Sequence, residues 1–166
     1  MSKVITDQKY TPLFVRWLDE RCPGFGSVEG TIHTIAFVDP QPDNIARQED
    51  VLTVCALSRW TPHSCEATLA SNGAKRAKAS REYIWTIFNH VFNVHGRSRL
   101  YVFVGVENAK SIVIQAMLGL TQEAVLRDHF GEGKDALLFG ITKTQWLAGQ
   151  WASADADADD QSHSAC

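Results

Sequence analysis

Residues Glu66 to Trp85 read EATLASNGAKRAKASREYIW. A short apolar strand meets a Ser71-Asn72-Gly73 turn, passes through Lys75, Arg76, Lys78 and Arg81, and enters a run whose Ile84, Ile87, Phe88 and Val91 share one helical face. The first turn of a helix has unpaired N–H groups and a positive dipole end, so a helix entered through small and cationic residues suits an anion such as a pyrophosphate. The same cations would serve equally as a solvated surface, since Lys and Arg suit the other end of a helix better. The remainder of the chain has to separate these readings.

A length of 166 residues allows one domain with a sizeable core and is short for two. Hydrophobic residues at 45% and charged residues at 21% exclude a largely disordered chain. The formal charge of −3 gives no whole-molecule argument for a nucleic acid or membrane partner, so any basic function is local. No apolar run approaches the roughly 20 residues that span a bilayer, and MSKVITDQKY lacks the apolar core of a secretory signal. A cytoplasmic protein is expected. Cys22, Cys55, Cys65 and Cys166 show no CxxC or Cys/His spacing of a zinc site, so no metal is expected and the thiols should be free.

Working outward, Thr11-Pro12 reads as an N-cap followed by proline at the first helical position, with Leu13, Phe14, Trp17 and Leu18 as an apolar face. That helix should stop at Cys22-Pro23-Gly24. Strands are predicted over 31–38, 51–57 and 64–70, and their short connections favour an antiparallel meander. A helix over 80–93 then leads to LYVFVGV, residues 100–106, which reads as a strand buried on both faces. Strand, helix and strand in that order imply a parallel crossover. A helix over 111–118 is closed by Gly119, and 123–130 with 136–142 form a terminal hairpin around GEGKD. Trp17, Trp85 and Trp146 fit a core. A single domain is expected over 1–150, with a disordered acidic tail over 151–166.

The order of elements and the local strings resemble the GNAT N-acetyltransferase superfamily, in the branch of the ribosomal-protein alanine acetyltransferases. NAKSIVIQAMLGL from Asn108 is similar to that branch's Asn-x-x-Ser and Leu-Gly-Phe string. EAVLRDHF from Glu123 is similar to its Glu-Gly-x-Leu-Arg strand, and KDALLFGITKTQW ending at Trp146 to its last strand. The resemblance covers about residues 30 to 146. It implies a mixed α/β fold, a sheet of six to seven strands flanked by helices, with a splay between two central parallel strands. It also implies acetyl-CoA as cofactor, its pantetheine arm bonded to backbone groups of Leu69, Ala70 and Ser71.

In the same resemblance the pyrophosphate loop falls on Arg76, Ala77, Lys78, Ala79, Ser80 and Arg81. The chain departs from the family there, because Ala79 replaces the first glycine and Arg81 the second. An arginine side chain can contact a phosphate instead. The implied activity is transfer of acetyl from acetyl-CoA to a primary amine, on a protein N-terminus or a small molecule, by direct attack. Homodimerisation is plausible by the same likeness. The competing reading is a binding or host-interaction module on this fold with weak or no catalysis.

Amide formation needs a base for the amine proton and a donor to the leaving thiolate. Glu66 is the base candidate, since a carboxylate in an apolar strand costs desolvation unless partnered; a cross-strand pair with a cation explains it equally. Asn108 and Ser111 would face the pantetheine and thiol end, or else serve as a turn Asn and a helix-capping Ser. Gln115 stands where many relatives have a tyrosine acid, leaving Ser111 or water as the donor. Trp60 and His63 could touch an acceptor, although a lone loop histidine is ordinarily surface. Cys65 should point to the face opposite Glu66 and is not read as a nucleophile.

Overall fold

The computed structural model describes residues 2–39, 48–73 and 80–155. A seven-stranded mixed sheet runs in the order β1-β2-β3-β4-β5-β7-β6. The strands are β1 (Lys3–Ile5), β2 (His33–Val38), β3 (Val51–Ser58), β4 (Ser64–Ser71), β5 (Arg99–Gly105), β6 (Thr121–Leu126) and β7 (Ala136–Thr142). Helix α1 (Thr11–Asp19) follows β1, α2 (Arg81–Asn89) links β4 to β5, α3 (Ala109–Met117) links β5 to β6, and α4 (Lys143–Leu147) follows β7. The expected meander is β2-β3-β4, antiparallel throughout, and β4 pairs β5 in parallel across the α2 crossover.

Two apolar cores lie on opposite faces of this sheet. On one face α1 buries Phe14, Trp17 and Leu18 against Ala36, Val38, Val54 and Ala56. On the other, α2 buries Tyr83, Ile84, Ile87 and Phe88 against Ile35, Cys55, Leu57 and Cys65, with Trp146 of α4 completing the cluster. The Tyr83 hydroxyl donates to the Ile35 carbonyl at 3.0 Å, which satisfies the one polar atom of a wholly buried ring.

The strand buried on both faces is β3, every residue of which is buried, and not the strand over 100–106 as expected. In β5 only Leu100 and Val104 are buried. The reason is coverage: α1 packs on β2 and β3, and it does not reach β5. Tyr101 and Phe103 are left on an open face. Beyond them, Arg99 forms a two-pronged pair with Glu123, at 2.8 Å between Nη1 and Oε1. Gly140 of the intervening β7 makes this possible, since a Cβ there would lie 2.8 Å from both Arg99 Nη2 and the Glu123 carboxylate.

Several boundaries differ from the sequence reading. Thr11 is the first residue of α1 and Tyr10 its cap, with Pro12 in the first turn where its missing N–H costs nothing. The second helix leaves α geometry at His90, and His90–Val94 is a π-helical turn closed by His95 N–H donating to the His90 carbonyl at 3.0 Å. Strand β6 ends at Leu126, short of Phe130, because Asp128 takes a left-handed φ of 53° and its carboxylate accepts from Gly133 N–H. Trp151, placed in the tail by sequence, packs on the body: its indole N–H donates to the Met117 carbonyl at 3.0 Å. Residues 156–166 of that tail lie outside the described residues. No helix among the described residues is long and apolar enough to cross a membrane.

Candidate active site

Strands β4 and β5 are hydrogen-bonded neighbours only from Ser64↔Arg99 to Glu66↔Tyr101. Beyond that rung β4 continues on β3 as far as Thr53↔Ser71, and β5 continues on β7 as far as Gly105↔Ala136. Each strand is held by its outer neighbour while their shared edge opens. The β4 edge from Ala67 onward thus presents backbone N–H and C=O groups that β5 does not satisfy. This edge belongs to the same stretch as Leu69, Ala70 and Ser71, the backbone groups read from the sequence.

The opening is a cavity of about 800 Å³, walled by the alternate β4 residues Ala67, Leu69 and Ser71 and by Leu100 and Val102 of β5. Helix α2 contributes Ile84, Ile87 and Phe88 to it, and α3 contributes Ile114 and Gln115. A pocket of this size is in the range that encloses a small ligand, and an apolar wall with unpaired backbone groups along one side suits an amide-bearing aliphatic arm. Gln115, at the position of the relatives' tyrosine, is 6% exposed and offers the cavity an amide in place of a phenol. Ala70 points to the other face, against the α1 core, so only its backbone borders the opening.

At the apex, on the face opposite the cavity, sits Glu66, the last paired residue of β4. The cation expected as its partner is present here. Arg59, in the β3–β4 turn with a left-handed φ of 50°, brings Nε to 2.9 Å from Glu66 Oε2. The contact is an ion pair without the alignment of a hydrogen bond, and Oε2 accepts no other bond among the described residues. Burial pushes the Glu66 carboxyl above its ordinary range, against the opposing pull of Arg59 and of His129. Tyr101 is its partner across the parallel rung, and burial together with the Glu66 charge raises the phenol.

Arg59, Tyr101 and His129 were not singled out from sequence. Alternation places Tyr101 on the Glu66 face of its strand, but its pairing with Glu66 depends on a parallel register that no local pattern reveals. His129 is carried by the β6–β7 connection, where Asp128 N–H donates to Asp135 Oδ1 at 2.9 Å and the imidazole lies 4.3 Å from the Phe103 ring.

The cavity mouth differs from expectation at the helix entry. Ser80 caps α2, its hydroxyl accepting from Tyr83 N–H at 3.1 Å. Arg81, expected to reach a phosphate, donates through Nη1 to the Gln150 and Ser153 carbonyls and lies over the Trp151 ring at 5.1 Å. Arg76, Ala77, Lys78 and Ala79 lie outside the described residues.

Asn108 and Ser111 take their local roles. Asn108 is the N-cap of α3, its Oδ1 accepting from Ser111 N–H at 3.1 Å, and Lys110, not Ser111, borders the cavity from that turn. Trp60 is turned away from any acceptor: its indole N–H donates to the Leu57 carbonyl at 3.2 Å and its ring packs on His33 and His95. His63 is exposed and acts through its carbonyl, which accepts from the backbone N–H groups of Ser98 and Arg99. Cys65 is fully buried on the α2 side, its thiol pushed up to about 12 by burial. Burial raises Cys55 likewise, so neither presents a thiolate.

No protein-family model and no characterised protein sequence matches the chain. Solved structures do. The spermidine/spermine N-acetyltransferase SpeG from Vibrio cholerae in complex with manganese ions has a TM-score of 0.62 and 15% identity over 89% of this chain and 95% of that one. A dodecameric structure of spermidine N-acetyltransferase from Vibrio cholerae has a TM-score of 0.63 and 14% identity, over 92% of this chain and 98% of that one. The fold is therefore the GNAT fold, as the strings implied. The narrower likeness to the ribosomal-protein branch is not confirmed by these neighbours.

Proposed function

We propose that the chain is an acetyl-CoA-dependent N-acetyltransferase acting on a primary amine. The observation that carries this reading is the parting of β4 and β5 after the Glu66↔Tyr101 rung into an apolar cavity of about 800 Å³. The neighbours of the same fold, named as spermidine N-acetyltransferases, support it.

The residues present fit acetyl-CoA at the arm and apex, where unpaired β4 backbone and an apolar wall meet an ionisable cluster. When bound, acetyl-CoA supplies a thioester whose carbonyl is open to an amine. The β4 edge from Ala67 to Ser71 holds the arm, Ile84, Phe88 and Ile114 exclude water from it, and the Glu66 face receives the amine. Glu66 takes the amine proton: Arg59 engages Oε2, and Oε1 has no protein partner among the described residues. Tyr101, beside it, is the donor closest in chain register to the apex, and Gln115 orients from the cavity side. Protonated thiols at Cys55 and Cys65 leave no acyl-enzyme route through cysteine.

The acceptor is an amine that reaches the open face over Tyr101 and Phe103, either a small polyamine or a protein α-amine. The ribosomal-protein likeness favours the protein α-amine, in the cytoplasm. Isothermal titration with acetyl-CoA, followed by turnover on spermidine and on peptides with free N-termini, tests the reading. Saturable binding with turnover on either class is expected. Absence of heat at millimolar acetyl-CoA would remove the enzyme and leave the binding module.

A further inference from the structure

At the far end of α2 from the cavity mouth, β2 begins against the π-helical turn. We propose that His33, His90 and His95 form a binding site for a divalent transition metal of the kind that prefers imidazole, with Zn2+ as its type. Their ligand nitrogens all lie within 4.8 Å of one another. The ring centroids of His33 and His95 are 4.6 Å apart, those of His90 and His95 4.8 Å, and those of His33 and His90 6.1 Å.

The turn is what makes the cluster. In an α-helix, residues five positions apart point about 140° away from each other around the axis. A π turn closes its hydrogen bond five residues back, and here it joins His95 N–H to the His90 carbonyl, so both imidazoles come to one side. His33 is supplied from a different element and held by the β2–β3 ladder opposite Leu57. A site so built has its ligands on rigid backbone.

The three side chains are half-buried, and none of their ring nitrogens has a hydrogen-bond partner among the described residues. A histidine in a packed protein ordinarily directs one ring nitrogen at a carbonyl or carboxylate. Here one nitrogen of each ring lies within 4.8 Å of the other two, and a water would complete a four-coordinate centre. A tetrahedral centre with bonds of about 2.05 Å needs nitrogens about 3.3 Å apart, a contraction that small rotations of the side chains supply. Burial lowers all three imidazoles, joined at His90 by the charges of His95 and His33 and at His95 by those of His33 and Arg97.

The surroundings select the class of ion. Among the described residues no carboxylate joins the cluster, which disfavours the oxygen-seeking Ca2+ and Mg2+, and imidazole suits Zn2+, Ni2+ and Cu2+. Arg97, over the Trp60 ring at 5.4 Å and donating to the His95 carbonyl, is a cation beside the cluster that opposes the metal. Trp60 covers one flank, edge-on to His33 at 5.3 Å. A bound ion would tie β2 to the end of the α2 segment.

Full-length tag-free protein, stripped with EDTA, is titrated with ZnCl2 by calorimetry and with CoCl2 by visible absorption. One site per chain and the visible bands of tetrahedral cobalt are expected, with a rise in Tm on adding Zn2+. His33→Gln and His90→Gln should each weaken Zn2+ by roughly 10–100-fold or more and remove the cobalt bands. His63→Gln should leave both unchanged. Unaltered Zn2+ affinity in His33→Gln and His90→Gln, or absence of a cobalt spectrum in the parent protein, would overturn the site. His33 begins its strand, so His33→Gln reports on binding even where His90→Gln disturbs the turn.

Discussion

Glu66 was equally readable from sequence as a base and as one half of an ion pair; the molecule shows the pair, and the proposed reaction adds the base. A carboxylate inside a sheet is expensive, and Arg59 offsets part of that expense without neutralising the group. A carboxyl raised by burial titrates nearer neutrality, where a general base is most effective. Two outcomes follow. Glu66→Gln should lower kcat by about 10²–10⁴-fold with acetyl-CoA affinity retained, and should abolish the acidic limb of the kcat/KM profile. Arg59→Ala should move that limb to higher pH, because the cation that lowers the Glu66 pKa is gone and the base must still be ionised; a limb that stays put or moves down would remove Glu66 from the reaction. Glu66 was legible because a charge in an apolar strand is an anomaly in one dimension. Tyr101 and His129 were not, because they are ordinary in sequence and acquire meaning only from the parallel register and from the Asp128 turn.

Among the elements, those with a strong period or sharp punctuation were legible: β2, β3, β4, β7 and the entry of α2. Those that failed did so for physical causes. β1 is three residues, too short to show alternation, and it exists because β2 offers it an edge. The π turn is invisible, since nothing local marks the change of period at His90. α4 could have been found, because Thr142 and Gln145 form a capping box whose reciprocal bonds are present at 2.9 and 3.1 Å. At Asn108 the local reading is the one on view: its side chain caps α3. Ser80→Ala should cost about 1 kcal/mol by leaving the Tyr83 N–H without its partner, measured as a lower midpoint in urea with an unchanged m value. A loss below a few tenths of a kcal/mol would mean that the α2 N-terminus is held by its packing alone.

At the scale of the whole molecule, function follows from uneven coverage of one sheet. Helix α1 seals β2 and β3 from one side, in a core that holds no β5 residue, whereas the α2 core on the other side runs past the β4–β5 seam to Leu100 and Val104 and walls the cavity there. The seam therefore opens toward the cavity on one face and toward Tyr101 and Glu66 on the other, so a thioester and an amine can approach from opposite sides. Substitutions at neighbouring β4 positions separate the two faces. Ala67 is on the cavity wall, and Ala67→Trp places an indole where the arm would lie, in space already empty. Acetyl-CoA affinity should fall by more than roughly tenfold while Tm stays near that of the parent, because the overpacking penalty of about 1–3 kcal/mol applies to filled cores. Ala70 faces the α1 core, so Ala70→Trp should incur that penalty and lower Tm, with acetyl-CoA affinity at the temperature where the variant is folded unchanged. If Ala67→Trp bound acetyl-CoA as well as the parent does, the ligand would have to enter by another route, and the seam would lose its role.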